Sequence, residues 1–541
     1  MDNEELENLD INRNTPGAEL YVGLVAPVGV DLRTLHSHLQ ASLSRLNYKV
    51  KEIKLSDWIK NNTCTVRTEN DYEKLLSLME TGSKCREISK RGDFLALAGI
   101  YELSDYRKKT FGTYDDEAES SAEDPHEHRE CNCSEKNKSG PKAGDYICYV
   151  FNQLKRPEEV ELLRWVYGSS FYLIGAYSSV VTRKMNLARR IETTSEDILQ
   201  EDRFNKAQDL INFDYSEPVE HDFGQSIQRT FPHADVFFDE GDQDLSSKVN
   251  RFIELIFCEP FHSPTKDEQG MCLAKSAAYR SADLARQIGA AITTERGEII
   301  SIGCNDAARS EGGQYWVDDS DVDDKRDFRL GFDSNDRAKR SLLTNLLDKL
   351  SEQLPGQNFD IKDLVNKAVS KENRLGSADL FDVIEYFRSV HAEMAALMDA
   401  ARRGISVAGA TMYATTFPCH ECAKHIVAAG IKRLIYIEPY PKSKAMILFE
   451  DAISLDVPDE KKTLFKSFVG VAPRRYAELF DLGKLKRKTS TGDKKNWLVK
   501  DPRLRRQELE SVYIMKETFF NLLFEQLANT VKEKLQTQEG I

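Results

Sequence analysis

The sequence has little of what would mark a secreted protein, a membrane protein or a general binder of nucleic acid. Ten cysteines among 541 residues are too few to staple a chain of this size, and a reducing compartment fits that usage. No stretch approaches the ~20 consecutive apolar residues of a membrane span. The opening Met1-Asp2-Asn3-Glu4-Glu5 has neither the basic start nor the apolar stretch of a secretory leader. Basic charge is also scarce: 75 Lys and Arg against 89 Asp and Glu leave a net charge of -14, which argues against a broad surface for long polyanions. A cytoplasmic protein without a membrane partner is expected. Overall charge says little about a pocket for a small phosphorylated ligand, which needs only a few local cations or amides.

The chemistry-bearing residues concentrate in two short runs, His391-Ala392-Glu393 and Pro418-Cys419-His420-Glu421-Cys422. Residues 391–404 read as a helix, with Met394, Leu397, Met398 and Ala401 at three- or four-residue spacing and Gly404 as its stop. Pro418 suits the opening of a second helix that runs to Gly430. Cys419 and Cys422 then share one face at the positive end of the helix dipole, where the thiolate is favoured. One imidazole and two thiolates leave the fourth position of a tetrahedral Zn2+ open, as in a catalytic site. Glu393, two residues beyond His391, can move protons beside the metal without binding it. This H-x-E…P-C-x-x-C arrangement, led by a strand-like 410–415, resembles the signature of zinc nucleobase deaminases.

The length exceeds what one hydrophobic core supports, so two domains are expected in an α/β protein. Residues 1–18 read as a flexible arm. From Glu19, a buried strand at 20–26 leads through the Pro27-Val28-Gly29 turn to a helix with a Leu32, Leu35, Leu39, Leu43, Leu46 stripe, then a strand at 48–55. That order resembles P-loop kinases of the nucleotide type, and it implies a P-loop NTPase-like domain over 19–260 in which Gly23 and Gly29 are candidate nucleotide contacts. The motif departs from the family where G-K-[ST] should stand, because this chain reads Asp31-Leu32-Arg33. A degenerate domain that binds a regulatory nucleotide, RNA or protein partner is expected rather than a working phosphotransferase.

Further strands are expected at 146–151, at 171–176 and around Phe237-Phe238, and a helix at 246–258. Arg156, Arg164, Arg183, Arg189 and Arg190 either line a phosphate pocket or lie on solvated, salt-linked helices. Residues 114–143 form an acidic insertion nearly devoid of apolar residues, for which disorder is expected. Its His126, His128, Cys131 and Cys133 fall within eight residues and leave a second metal open as an alternative.

The second domain is expected over 261–541, with a helix from Asp267 to Gln287, a hairpin of 289–294 and 298–303, an insertion at 312–380 and a closing C-terminal helix. Helix, hairpin, zinc helix, strand, zinc helix, strand is the order of the cytidine deaminase fold, an α/β/α layer structure with a mixed sheet. Arg280-Ser281-x-Asp283, Gln287-x-Gly289-Ala290 and Gly303-Cys304-Asn305 resemble the deoxycytidylate deaminase branch. That likeness implies substrate contacts at Asn305, to the sugar hydroxyl, and at Arg280 and Ser281, on the phosphate side. A helix end held by local hydrogen bonds is the alternative. With the degenerate P-loop half in front, the chain resembles the bacterial two-domain antiphage deoxycytidylate deaminases. This implies deamination of free deoxycytidine nucleotides, dCMP or dCTP, to deoxyuridine nucleotides during infection, in a homo-oligomer.

The expected mechanism is hydrolytic: His391, Cys419 and Cys422 hold zinc, which lowers the pKa of water, Glu393 shuttles the proton, and C4 of cytosine is attacked. Three other readings share parts of the pattern. A tRNA or single-stranded DNA deaminase would want basic grooves and stacking aromatics. A deaminase of pterin or flavin precursors leaves Asn305 and the Arg280 segment unexplained. A nucleotide-sensing regulatory protein would place the activity in the first half.

Overall fold

The computed structural model describes residues 17–63, 70–112, 143–194, 200–215, 223–319, 323–353, 360–369, 386–440, 442–483, 485–497 and 502–538. His126, His128, Cys131 and Cys133 lie outside them. The chain separates into two compact units, Met1–Pro264 together with Val469–Ile541, and Thr265–Phe468.

The first unit is built on a sheet of six strands. Strands β1 (Leu20–Val25), β2 (Lys49–Lys54), β3 (Ile147–Asn152), β4 (Phe171–Tyr177) and β5 (Val236–Asp239) run parallel in the order β2-β3-β1-β4-β5. The central β1 is buried along its whole length, as its uninterrupted apolar run requires of a strand covered on both faces. Helix α1 (Leu32–Ser44) follows the turn after β1 and turns Leu35, Leu39 and Leu43 into the core, matching the expected leucine stripe.

The sixth strand is Gly470–Val471, antiparallel to β5 with Val471 opposite Val236. The C-terminal segment therefore belongs to the first unit, whereas the sequence reading placed everything from 261 onward in the second. Packing explains the difference. Val471, Leu479 and Leu504 join the same apolar cluster as Leu24 and Val236. Arg475 donates to the Phe171 carbonyl at 2.8 Å and pairs with Asp235 at 3.2 Å. In the C-terminal helix Glu510–Gln538, Glu517 forms a fully buried ion pair with Arg107, which also holds Glu19 at 2.8 Å.

The second unit carries its own mixed sheet. Helix α2 (Lys266–Ala278) precedes β6 (Gly289–Thr293) and β7 (Ile299–Cys304), an antiparallel pair joined through Gly297 at φ +93°. Short strands β8 (Asp306–Ala307) and β9 (Ser389–Val390) pair antiparallel, which closes the base of the long insertion and returns the chain beside Asn305. Helix α3 (Ala392–Arg402), β10 (Thr411–Thr416), helix α4 (His420–Ala428), β11 (Arg433–Glu438), β12 (Ile453–Leu455) and β13 (Thr463–Ser467) complete it, in sheet order β12-β13-β11-β10-β6-β7. Strand β10 is antiparallel to β6 and parallel to β11.

One expected element differs. The helix predicted to Gln287 ends at Ala278, and residues 280–288 form a loop. Ser281 and Asp283 explain the stop, because their side chains accept from the backbone amides of Asp283 and Ala285 at 3.3 and 2.9 Å, in competition with helical hydrogen bonds. Within the insertion, helices span Ser334–Gln353 and Ile361–Val369, and acidic residues ahead of them pair with arginines: Asp319 with Arg309, Asp324 with Arg326.

Candidate metal centre and its cavity

Both ligand runs sit at helix starts. His391 is the N-cap of α3, in extended conformation at φ -62°, ψ 151°. Cys419, rather than Pro418 one residue earlier, caps α4, and its sulfur accepts from the Cys422 amide at 3.4 Å. Helix α3 lies directly on β7 because Gly303 has no side chain. A Cβ there would stand 2.4 Å from both the Ala392 carbonyl oxygen and the Ala396 nitrogen.

The three ligand atoms converge within 4.8 Å of one another, and among the described residues no other such group of His, Cys, Asp or Glu forms. His391 Nδ1 lies 3.3 Å from Cys419 Sγ and 3.4 Å from Cys422 Sγ. Tetrahedral zinc with ordinary Zn–S and Zn–N bonds places sulfur and nitrogen about 3.5 Å apart, so both sulfur–nitrogen separations suit the ion. The donors hold their protons unevenly: hydrogen bonding to Cys419, with burial, pushes the Cys422 thiol well up. The Cys422 thiol, by hydrogen bonding to Cys419, and the neighbouring His391 imidazole hold the Cys419 thiol down at about 4. His391 is correspondingly pushed up by its bond to that sulfur.

Glu393 lies in the first turn of α3, 4% exposed, with Oε2 3.5 Å from Cys422 Sγ. Burial raises its pKa, with the Cys419 thiolate adding to the effect. A buried carboxyl with a raised pKa, next to the three candidate metal donors, suits proton transfer. His391, Glu393 and Cys419 line a cavity of about 140 Å³. Phe387, Phe417 and Tyr440 give it aromatic walls, while Asp283, Arg286, Asn305 and Thr416 add polar groups. The Phe387 ring stands edge-on to the His391 imidazole at 6.0 Å.

The other predicted residues divide. Asn305 lines the cavity, but its amide is engaged by the protein: Oδ1 accepts from the Ile288 amide and Nδ2 donates to the Arg286 carbonyl, both at 2.7 Å. Ser281 and Arg280 are not brought to the cavity wall. Ser281 Oγ donates to the Asn305 carbonyl at 2.6 Å, and Arg280 bonds Gln314 at 2.9 Å and stacks on Trp316 at 4.0 Å. The cation that does reach the cavity is Arg286, which the sequence reading had placed inside a helix. The paired Ser281 and Asp283, both strong formers of local side-chain bonds, were the available sign that the helix stops first.

Gly23 and Gly29 belong to the first unit. Gly23 lies within β1, where a Cβ would meet Leu154 and Phe171 side-chain atoms at 2.7 and 2.8 Å, so it serves packing. Gly29 turns the chain at φ +90°, against the Arg183 carbonyl. Amides of that turn already have anionic partners: Val28 donates to Asp214 at 2.6 Å, Asp31 to Glu240 at 3.0 Å, and Arg33 to the Asp31 cap at 3.0 Å. Of the arginines proposed for a phosphate pocket, Arg156 pairs with Glu158, Arg164 with Asp235 and Arg190 with Asp71.

Comparison with known proteins falls on the cavity-bearing unit. Residues 264–438 match the family model of the cytidine and deoxycytidylate deaminase zinc-binding region, a stretch that includes His391, Glu393, Cys419 and Cys422. Over 79 residues the chain is 46% identical to the deoxycytidylate deaminase of Enterobacteria phage T4, an overlap of 13% of this chain and 41% of that protein. Over 66 residues it is 42% identical to ComE operon protein 2 of Bacillus subtilis (strain 168), 12% of this chain and 35% of that one. The chain thus spans less than half the length of these relatives. The crystal structure of the cyanophage S-TIM5 dCMP deaminase with dCMP and dUMP aligns at 16% identity and a TM-score of 0.21, covering 38% of this chain and 98% of that one. The zinc-binding region of the cytidine and deoxycytidylate deaminases is therefore what this chain is similar to where its metal donors converge.

Proposed function

We propose that the protein is a zinc-dependent hydrolase that deaminates free deoxycytidine nucleotides, dCMP, dCTP or both, to deoxyuridine nucleotides. The observation that carries this reading is the buried Glu393 carboxyl beside the convergent His391, Cys419 and Cys422 donors, at the floor of an aromatic-walled cavity. Its match to the deaminase zinc-binding region supports the reaction class, and the names of the similar proteins support the deoxycytidylate substrate. The net charge of -14 favours a free nucleotide over a polynucleotide.

His391, Cys419 and Cys422 would hold the metal. Zinc, when bound, supplies a Lewis acid that makes water nucleophilic at neutral pH. Glu393 takes the proton that water loses, delivers it to the ring nitrogen, and carries the second proton to the departing amino group. C4 gains oxygen and loses ammonia. Phe387 and Phe417 hold the planar base and, with the buried floor, keep bulk water from the reacting atoms.

The first unit is proposed as a regulatory element and not as a phosphotransferase. The Asp31-Leu32-Arg33 sequence in place of the P-loop lysine and hydroxyl supports this, as do the turn amides held by Asp214, Glu240 and Asp31. The sequence resemblance extends the proposal to depletion of the deoxycytidine nucleotide pool in antiphage defence. The direct test incubates zinc-loaded protein with dCMP, dCTP, CMP and a cytosine-containing oligonucleotide and measures ammonia. Release from dCMP or dCTP is expected. Release from the oligonucleotide alone would replace this reading with a polynucleotide deaminase.

A further inference from the structure

Of the candidate metal donors, Cys419 is the one whose backbone follows a proline. Proline has no N–H, so the backbone of Pro418 can be hydrogen-bonded through its carbonyl alone, and that carbonyl accepts from the Ser443 hydroxyl at 2.8 Å. Ser443 lies 25 positions further along the chain, between β11 and the short helix Ala445–Leu448. Its hydroxyl has one proton to give and gives it to Pro418, while its oxygen accepts from the Ala445 amide at 3.3 Å. Ala445 is fully buried, in the same apolar cluster as Phe417, Cys419 and Cys422. The Ser443 amide in turn donates at 3.0 Å to the carbonyl of Tyr440, a residue of the cavity wall. One serine thus joins the backbone ahead of a metal donor to the turn that carries part of that wall.

We infer that Ser443 is a positioning residue: its hydroxyl fixes the backbone from which the Cys419 sulfur reaches the metal. The inference rests on the zinc-site reading above and adds a residue that is neither a donor nor part of the cavity lining. Cys419 caps α4 in extended conformation, at φ -65° and ψ 166°, so the direction of its side chain depends on the peptide that precedes it. On the helix side the residue is held twice, by the Ala423 amide on its carbonyl at 2.9 Å and by the Cys422 amide on its sulfur at 3.4 Å. On the other side the Phe417 amide donates to the Glu438 carbonyl at 2.7 Å, and Ser443 restrains the residue left between them. Without the hydroxyl the peptide joining Pro418 to Cys419 loses that restraint, and a rotation there moves Sγ relative to His391 Nδ1 and Cys422 Sγ. Groups that orient the donors of a metal typically account for about 10- to 100-fold of its affinity. A bond that served stability alone would lower the unfolding temperature and leave the metal's surroundings as they were.

The experiment loads the full chain with cobalt(II), whose visible absorption reports the geometry of a site of two sulfurs and one nitrogen, in wild type, Ser443→Ala and Ser443→Thr. Zinc affinity is measured by competition with a chelator, and thermal unfolding is followed on each protein without metal. Ser443→Ala is expected to change the cobalt spectrum and to weaken zinc binding about 10- to 100-fold. Ser443→Thr keeps the hydroxyl, so it should restore the wild-type spectrum and bring zinc affinity back to within about threefold of wild type. An unchanged spectrum and unchanged zinc affinity in Ser443→Ala would overturn the inference, whatever happens to the unfolding temperature. A Ser443→Thr protein that unfolds like wild type yet binds zinc as weakly as Ser443→Ala would overturn it too. Wild type that takes up neither metal removes both this inference and the zinc site. If the variants behave as expected but no nucleotide is deaminated, the positioning role stands and the proposed reaction falls.

Discussion

Asn305 holds Arg286 by its backbone: the amide nitrogen donates to the arginine carbonyl at 2.7 Å while the amide oxygen takes the Ile288 N–H. Removing this side chain leaves two backbone groups of a cavity-lining loop without their partner. Asn305→Ala should destabilise the second unit by about 1–3 kcal/mol and raise KM for the nucleotide more than it lowers kcat. Thermal unfolding and steady-state kinetics check both. A variant of unchanged stability would show that water replaces the clamp.

Metal content and acid–base work should separate at neighbouring positions. Cys419→Ser is expected to lose zinc from a site that otherwise holds about one ion per chain. Glu393→Gln should keep the zinc and lose activity by at least ~10²–10⁴-fold, because the carboxyl serves both proton transfers. Elemental analysis beside an ammonia assay reads the two effects. Full zinc content in Cys419→Ser would remove that sulfur from the ligand set.

Gly303 is needed for the close contact of β7 with α3. In Gly303→Ala the added methyl meets the backbone of Ala392 and Ala396 at 2.4 Å, so the helix that carries Glu393 and is capped by His391 must shift. A cost of about 1–3 kcal/mol and weakened zinc retention are expected. Zinc competition with a chelator would show the second effect; retention equal to wild type would mean that the helix yields without moving its start.

The C-terminal helix is tied into the first unit by charge. Arg107→Met leaves Glu19 and Glu517 buried without their cation, and a loss of about 3–5 kcal/mol is expected in the unfolding of that unit. Restoring an apolar pair with Glu517→Leu in the same chain should recover part of it. No recovery would place the whole effect on Glu19.

Asp31 gives a pH-dependent test in the turn between β1 and α1. Its carboxylate caps α1, and hydrogen bonding from the Arg33 side chain lowers its pKa below the usual carboxylate value. A lowered folded pKa stabilises above the unfolded value of about 3.9 and ceases to do so as pH falls through the folded one. Asp31→Ala should therefore cost about 1 kcal/mol at neutral pH, and the gap to wild type should close below pH of about 4. Urea midpoints at the two pH values measure this, and a gap that persists in acid would contradict it.

The metal donors, Glu393 and the strands were legible in the sequence because each depends on neighbours a few residues away. A cysteine at a helix start and another three residues on share a face whatever the rest of the fold does. Apolar runs such as 20–25 are buried strands wherever the sheet places them. Which arginine lines the cavity was not legible, since Arg280 and Arg286 look alike in the sequence. Only the early stop of α2 and the Asn305 clamp turn the second of them to the cavity. The same holds for the C-terminal segment, whose periodicity shows a helix but not which sheet it completes. That was decided by Gly470–Val471 finding the free edge of β5, and by Glu517 meeting Arg107, contacts between residues hundreds of positions apart that no local pattern encodes.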